Sequence, residues 1–286
     1  MRFASGLKRP ARELLLFGFK EARACVFPVL FFAILFLSKY VPLFGLPRYD
    51  FIFLAVLGVQ ALLLLARIET RDEVLVLCVF HAIGLGLEIF KTHPAVGSWS
   101  YPEEGFLKIF GVPLYSGFMY AAVAGYMCQS WRLLDLELKN YPPYIFSVPL
   151  YAGIHLNFFT HHFVWDLRWA LVLGVFVVFW KTSVRFSVAE QRRRSMPLVV
   201  SFFLIGFFVW VAENISTYLG AWVYPERTAA WNLVSFGKIS SWFLLVIVSF
   251  ILVADLKHVK EARQGQSRKT GRHAGRENLT SSTPRP

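Results

Sequence analysis

Two acidic residues lie inside apolar runs of this chain, Glu88 in HAIGLGLEIFKTH and Glu213 in FVWVAENISTYLG. A carboxyl group at mid-bilayer costs about 2.5–3.5 kcal/mol on insertion scales, and less near the interface. A pair kept at matching places therefore points to proton transfer or to orienting a substrate. The plainer alternative is a hydrogen bond to a neighbouring helix. A second group lies in GIHLNFFTHHFVWDLRW. On a continuous helix His155, His162 and Asp166 stand at i, i+7 and i+11 and share one stripe, while His161 points about 100° away. His162 and Asp166 then form an i,i+4 pair, which would orient the imidazole. Histidine and carboxylate also suit zinc or iron, but the chain has no HExxH and no second histidine cluster. The expectation is that neither a metal nor another cofactor is bound. Elemental analysis of the purified protein checks this: stoichiometric zinc or iron, lost on His162→Ala, would overturn it.

An octapeptide is used twice, VGSWSYPE at 96–103 and LGAWVYPE at 219–226, with five of eight positions identical. Gly permits the turn, Trp and Tyr anchor at a lipid interface, and Pro stops helix continuation. These hooks add Trp99, Tyr101, Trp222 and Tyr224 to the candidate substrate contacts, beside Asn214 and His161. The match extends weakly outward. Thr92 follows Glu88 by four residues as Thr217 follows Glu213, and Phe110-Gly111 and Phe236-Gly237 follow the two hooks. The bland reading makes each hook a structural clamp of an outer loop.

Composition sets the elements that must carry these groups. The chain has 286 residues, 56% hydrophobic and 17% aromatic, with 29 Phe and 9 Trp. Apolar runs of 17 to 22 residues suit helices crossing a ~30 Å hydrocarbon layer, and the ~10-residue alternation of a membrane barrel is absent. The fold class is all-α, a polytopic transmembrane helical bundle. Eight spans are predicted, at about 25–44, 50–66, 73–93, 109–130, 144–162, 165–181, 197–216 and 233–255. Four spans separate the hooks, and an even number preserves orientation. The halves 25–130 and 144–256 therefore read as parallel four-span repeats about a pseudo-twofold axis along the membrane normal. Both hooks, both carboxylates and the histidine group then fall toward the outer face.

The net charge of +12 does not call for nucleic acid. With the N-terminus inside, 23 of the 30 Lys and Arg residues fall in cytoplasmic segments, as the positive-inside rule requires. Both termini are therefore predicted to be cytoplasmic. Residues 1–24 read as a cytoplasmic segment with an interfacial helix over 10–23, residues 131–143 as a cytoplasmic connector, and residues 257–286 as a basic, disordered tail. The three cysteines, Cys25, Cys78 and Cys128, imply no disulfide framework. No phosphate-binding loop, dinucleotide fingerprint or G-x-S-x-G elbow occurs.

At EIFKTHPAVGSWSYPEEGFLKIFGVPLYSGFMY, and again at NFFTHHFVWDLRW, the chain resembles a bacterial membrane family catalogued as domain of unknown function 817, over about residues 15–255. The resemblance implies a multi-pass inner-membrane protein and carries over no activity and no catalytic residue. Three functions remain open: an enzyme acting on a lipid or isoprenoid with Glu88 or Glu213 as general acid, a proton-coupled transporter using the two carboxylates as a pair, and a membrane assembly or scaffold protein. The expected partners are membrane lipids and a lipid or isoprenoid substrate.

Overall fold

A computed structural model describes residues 2–43, 45–189, 192–225 and 231–254. The predicted tail and Glu226 of the second hook lie outside the described residues.

The chain is mostly helical. α1 (Arg2–Ala24) is followed by α2 (Val26–Tyr40), α3 (Arg48–Leu65), α4 (Arg71–Thr92), α5 (Gly117–Leu133), α6 (Tyr144–Thr160), α7 (Arg168–Phe179) and α8 (Leu198–Tyr218). A ninth helix, α9, runs over Lys238–Ala254. Helices α2 to α9 lie over the eight apolar windows. Their starts are chemically marked. Thr70 and Glu73 form a reciprocal capping box at α4. Pro47, Pro143 and Pro197 precede α3, α6 and α8 in extended conformation and stop each helix from running further back.

Among the described residues three helices are long and apolar enough to cross a membrane: α3, α4 and α8. Ala11–Ala24 and α2, bent by 59° at their junction, would make a fourth if they act as one broken span. Helices α5, α6 and α9 have 17 residues and α7 has 12. At ~1.5 Å per residue a 17-residue helix covers about 26 Å, short of a full hydrocarbon crossing.

The all-α expectation needs correction in two places. The predicted span over 109–130 begins with a hairpin instead of a helix. β1 (Lys108–Ile109) pairs antiparallel with β2 (Val112–Pro113). The turn residues Phe110 (φ 51°) and Gly111 (φ 83°) both take the left-handed region that a two-residue hairpin turn demands. A 3₁₀ turn over Leu114–Ser116 leads into α5. The second correction concerns the connector and the basic SVRFSVAEQRRRS segment, to which an all-α bundle assigns no strand. β3 (Glu137–Lys139), β4 (Ser183–Ala189) and β5 (Arg192–Pro197) form one antiparallel sheet in the order β3-β4-β5. Arg193 pairs with Asp135 at 2.5 Å and Glu137 at 2.6 Å, and Arg194 with Glu13 at 2.5 Å. Part of the charge that marks this side of the protein is thus spent on holding connector and α1 to the hairpin. α1 also packs on the protein, through Phe17 against Phe186 and a Tyr126 hydroxyl donating to Glu21 at 2.8 Å, while Leu14, Leu15 and Phe19 stay exposed.

Candidate functional site

Glu88 sits near the end of α4 and is 2% exposed. Both of its oxygens accept hydrogen bonds. Trp99 Nε1 and Tyr101 OH donate to Oε2 at 2.6 and 2.7 Å, and Tyr120 OH donates to Oε1 at 2.8 Å. Two of these donors come from the first hook and the third from α5. Glu213, 3% exposed near the end of α8, is held in a parallel way. Tyr224 of the second hook donates to Oε1 and Trp242 of α9 to Oε2. Lys238 Nζ lies 3.8 Å from Oε1. Tyr101 and Tyr224 occupy the same hook position, so each hook returns its tyrosine to the carboxylate of the helix it follows. The helix turns match as well: Thr92 bonds the Glu88 carbonyl at 2.8 Å and Thr217 the Glu213 carbonyl at 2.9 Å. Burial, and after it the Glu88 carboxylate, push the Tyr101 phenol well above its usual range. Burial and Glu213 do the same to Tyr224. Both phenols therefore remain donors.

The hooks also meet each other. Ser100 N–H donates to Val223 O at 2.9 Å and Val223 N–H donates to Ser100 O at 3.0 Å. Ser100 and Val223 are equivalent hook positions, and a mutually bonded antiparallel pair has a local twofold through its centre. The two hook glycines, Gly97 (φ 55°) and Gly220 (φ 73°), both use the left-handed conformation that Gly adopts without strain. Arg48 fastens the pair. Its guanidinium bonds Glu103 of the first hook at 2.6 Å and the Leu219 and Gly220 carbonyls of the second at 2.7 and 3.1 Å. Trp99 meets Tyr224 edge to face with ring centroids 6.2 Å apart. The two carboxylates are thus joined through Trp99 and Tyr224.

Beside this junction lies a cavity of about 580 Å³. Of the candidate residues, Glu213, His155, His161, His162, Trp99 and Tyr224 line it. Glu88 and Tyr101 do not; they are sealed behind Trp99 and Tyr120. Trp222 is buried in the apolar core instead of flanking the cavity. Asn214 has a packing role, accepting from Val234 N–H and donating to the Trp210 carbonyl, each at 2.8 Å.

The continuous stripe of His155, His162 and Asp166 is corrected, because α6 ends at Thr160. Buried Asn157 ends it. Its side chain accepts from Leu167 N–H at 2.8 Å and donates to Asp166 at 3.1 Å, folding the chain back into α7. Asp166 consequently faces Arg168, at 3.1 Å, in place of His162. His162 Nε2 instead lies 2.8 Å from Lys91 Nζ. An ammonium has only donors, so Nε2 is the bare nitrogen of a neutral ring. Desolvation, then the Lys91 charge and His161, hold that imidazole down, to about 4. Desolvation alone would raise Asp166, but Asn157 and Arg168 outweigh it and lower its carboxyl. Among the described residues no three His, Cys, Asp or Glu side chains converge as a metal site requires.

Sequence reasoning missed Lys91, Arg168, Lys238, Tyr120, Asn157 and Trp242. Lys91 carried a signal, a cation one helical turn after Glu88 inside the same apolar run.

Comparison with known proteins agrees with the resemblance seen in the sequence. The chain is 54% identical over 253 residues to "Uncharacterized protein YoaT" of Bacillus subtilis (strain 168), covering 88% of this chain and 95% of that one. No solved structure matches it. The family model described as "Protein of unknown function (DUF817)" matches residues 13–250, and the chain belongs to that family.

Proposed function

We propose that the protein is a multi-pass enzyme of the bacterial inner membrane that acts on a lipid or isoprenoid in the cavity beside the two hooks. Helices α2 to α9 form two parallel four-helix repeats, with both termini cytoplasmic and the hooks on the outer side. The observation that carries this reading is the make-up of the cavity. Its walls include the apolar Leu87, Ile154, Leu244 and Val248, while Glu213, His162 and Lys91 stand beside them. A floor of this kind suits an alkyl or prenyl chain, and the polar groups fix its orientation. The membrane setting is supported by large apolar side chains left exposed on the helix surfaces, among them Leu62 and Leu65 of α3, Leu75 of α4 and Phe203 and Phe208 of α8.

Within the cavity Glu213 is the carboxylate that meets a substrate. Every donor around it, from Tyr224, Trp242 and Lys238, leaves it an acceptor. That suits it to take a proton or to stabilise a developing positive charge. Glu88, sealed and saturated, acts as a strut. This asymmetry favours an enzyme over a transporter, in which both carboxylates would face a shared path.

Lipidomic comparison of a deletion strain with its parent tests the reading. A lipid or isoprenoid that accumulates or disappears, and is restored by the wild-type gene but not by Glu213→Gln, is the expected result. An unchanged lipidome would overturn it. Reporter fusions at Lys260 and within 94–106 should report opposite sides of the membrane; the same side would overturn the eight-helix arrangement.

A further inference from the structure

The cavity presents three cations, Lys91, Arg168 and Lys238, against one carboxylate, Glu213. The way the carboxylates are satisfied matters. Glu88 is saturated by three neutral donors, and Glu213 takes two neutral donors. Lys238 lies 3.8 Å from Glu213 Oε1, but Lys91 is not used in neutralising either carboxylate by direct contact. Lys91 is 3% exposed, and its ammonium donates to the Phe158 carbonyl and to His162, both at 2.8 Å. Its charge also lies over the Phe158 ring, 4.0 Å from the centroid. Neither hydrogen-bond partner is charged. Among the described residues no carboxylate oxygen comes within 4.0 Å of its nitrogen. Burying a charge without an opposite charge is costly, and two of its three N–H donors are accounted for. Lys238 lies over the Tyr224 ring, 3.3 Å from the centroid, and Arg168 shares Asp166 with the end of α6. The three come from α4, α7 and α9, so no single helix explains the cluster.

We infer that this cluster is a headgroup site for an anionic amphiphile, whose phosphate or carboxylate sits among Lys91, Arg168 and Lys238 while its chain lies along Ile154, Leu244 and Val248. The inference rests on the lipid reading of the cavity and narrows it to a charged substrate class. The anion supplies the opposite charge that Lys91 lacks in direct contact. His162, holding a bare nitrogen toward Lys91, keeps the ammonium aimed without competing for negative charge.

Three probes separate the two readings: farnesyl monophosphate, farnesol and inorganic phosphate, each titrated into the purified full-length protein in neutral detergent. Farnesyl monophosphate should bind at least tenfold more tightly than farnesol. Arg168→Gln and Lys238→Gln should each weaken the phosphate ester by about tenfold, the weight of a charge-assisted contact, and leave farnesol unchanged. Thermal unfolding without ligand confirms that these two partly exposed positions do not disturb folding. Lys91→Gln, at a buried position, is read only if its unfolding matches the wild type. If ester and alcohol bind equally and the variants alter neither, the headgroup site is refuted and the lipid reading stands. If inorganic phosphate binds as well as the ester, the anion site holds and the lipid reading fails. If none of the three binds, both are overturned.

Discussion

Glu88→Leu should destabilise the protein by about 2–6 kcal/mol, the largest loss from any single substitution at the two carboxylates. The leucine removes the one acceptor shared by Trp99, Tyr101 and Tyr120. A buried donor left without a partner costs about 1–3 kcal/mol, which applies to Trp99 and Tyr101 on the loop. Tyr120 bonds between helices, where measured contributions average about 0.6 kcal/mol. The relief of no longer burying a carboxylate offsets part of the sum. Glu88→Gln should fall between leucine and wild type, because it keeps one acceptor oxygen and turns an NH2 group toward donors. Denaturant unfolding in detergent micelles reads the effect. Adding Tyr101→Phe to Glu88→Leu should recover stability, since one orphaned donor is then removed. A loss below about 0.5 kcal/mol, the scale of a neutral surface change, would show that the carboxylate is not the keystone of the first hook.

How much of this was legible before the structure depends on what each residue had to announce. Glu88 and Glu213 stand out because a carboxylate in an apolar run is expensive, and the hook tyrosines because they recur at a fixed place after it. The sequence also held the helix positions, since long apolar runs bounded by Pro or by the Thr70 cap leave little choice. What it did not hold was how far each helix continues. Asn157 ends α6 through bonds to Asp166 and Leu167, contacts across a turn that no periodicity records. Phe110-Gly111 is a hairpin turn hidden within an apolar run, because Phe at a positive φ is unusual and composition alone reads it as span. The basic hairpin is illegible for the opposite reason: its charges dominate its composition while its pairing partner, β3, is more than forty residues away. The cavity cations are harder still. Lys91, Arg168 and Lys238 each look like an interfacial residue whose charge reaches water, and only packing brings them to one wall.

Replacing Ser100 and Val223 with cysteine should produce a spontaneous or readily oxidised disulfide that raises stability by about 4–5 kcal/mol. The two residues exchange both backbone hydrogen bonds, and such antiparallel pairs hold their Cα atoms about 5.5 Å apart, inside the range a disulfide accepts. The loop closed would be roughly 120 residues, for which the chain-entropy model gives the quoted gain. The experiment requires a background in which Cys25, Cys78 and Cys128 are replaced, since none of the three is in a disulfide. A protease site inserted at 190–191 separates the halves after cleavage. The cut protein should then migrate as one chain without reductant and as two with it. Cysteine at Ser98 in place of Ser100, two residues out of register, should cross-link far more slowly. Cross-links that form only between molecules, or equally fast from Ser98, would refute the hook pairing. The pairing carries weight because it joins equivalent positions. Two copies of a short motif that merely shared an outer-loop role could rest anywhere on the surface, but Ser100 facing Val223 in mutual register requires a local twofold between the segments that hold Glu88 and Glu213.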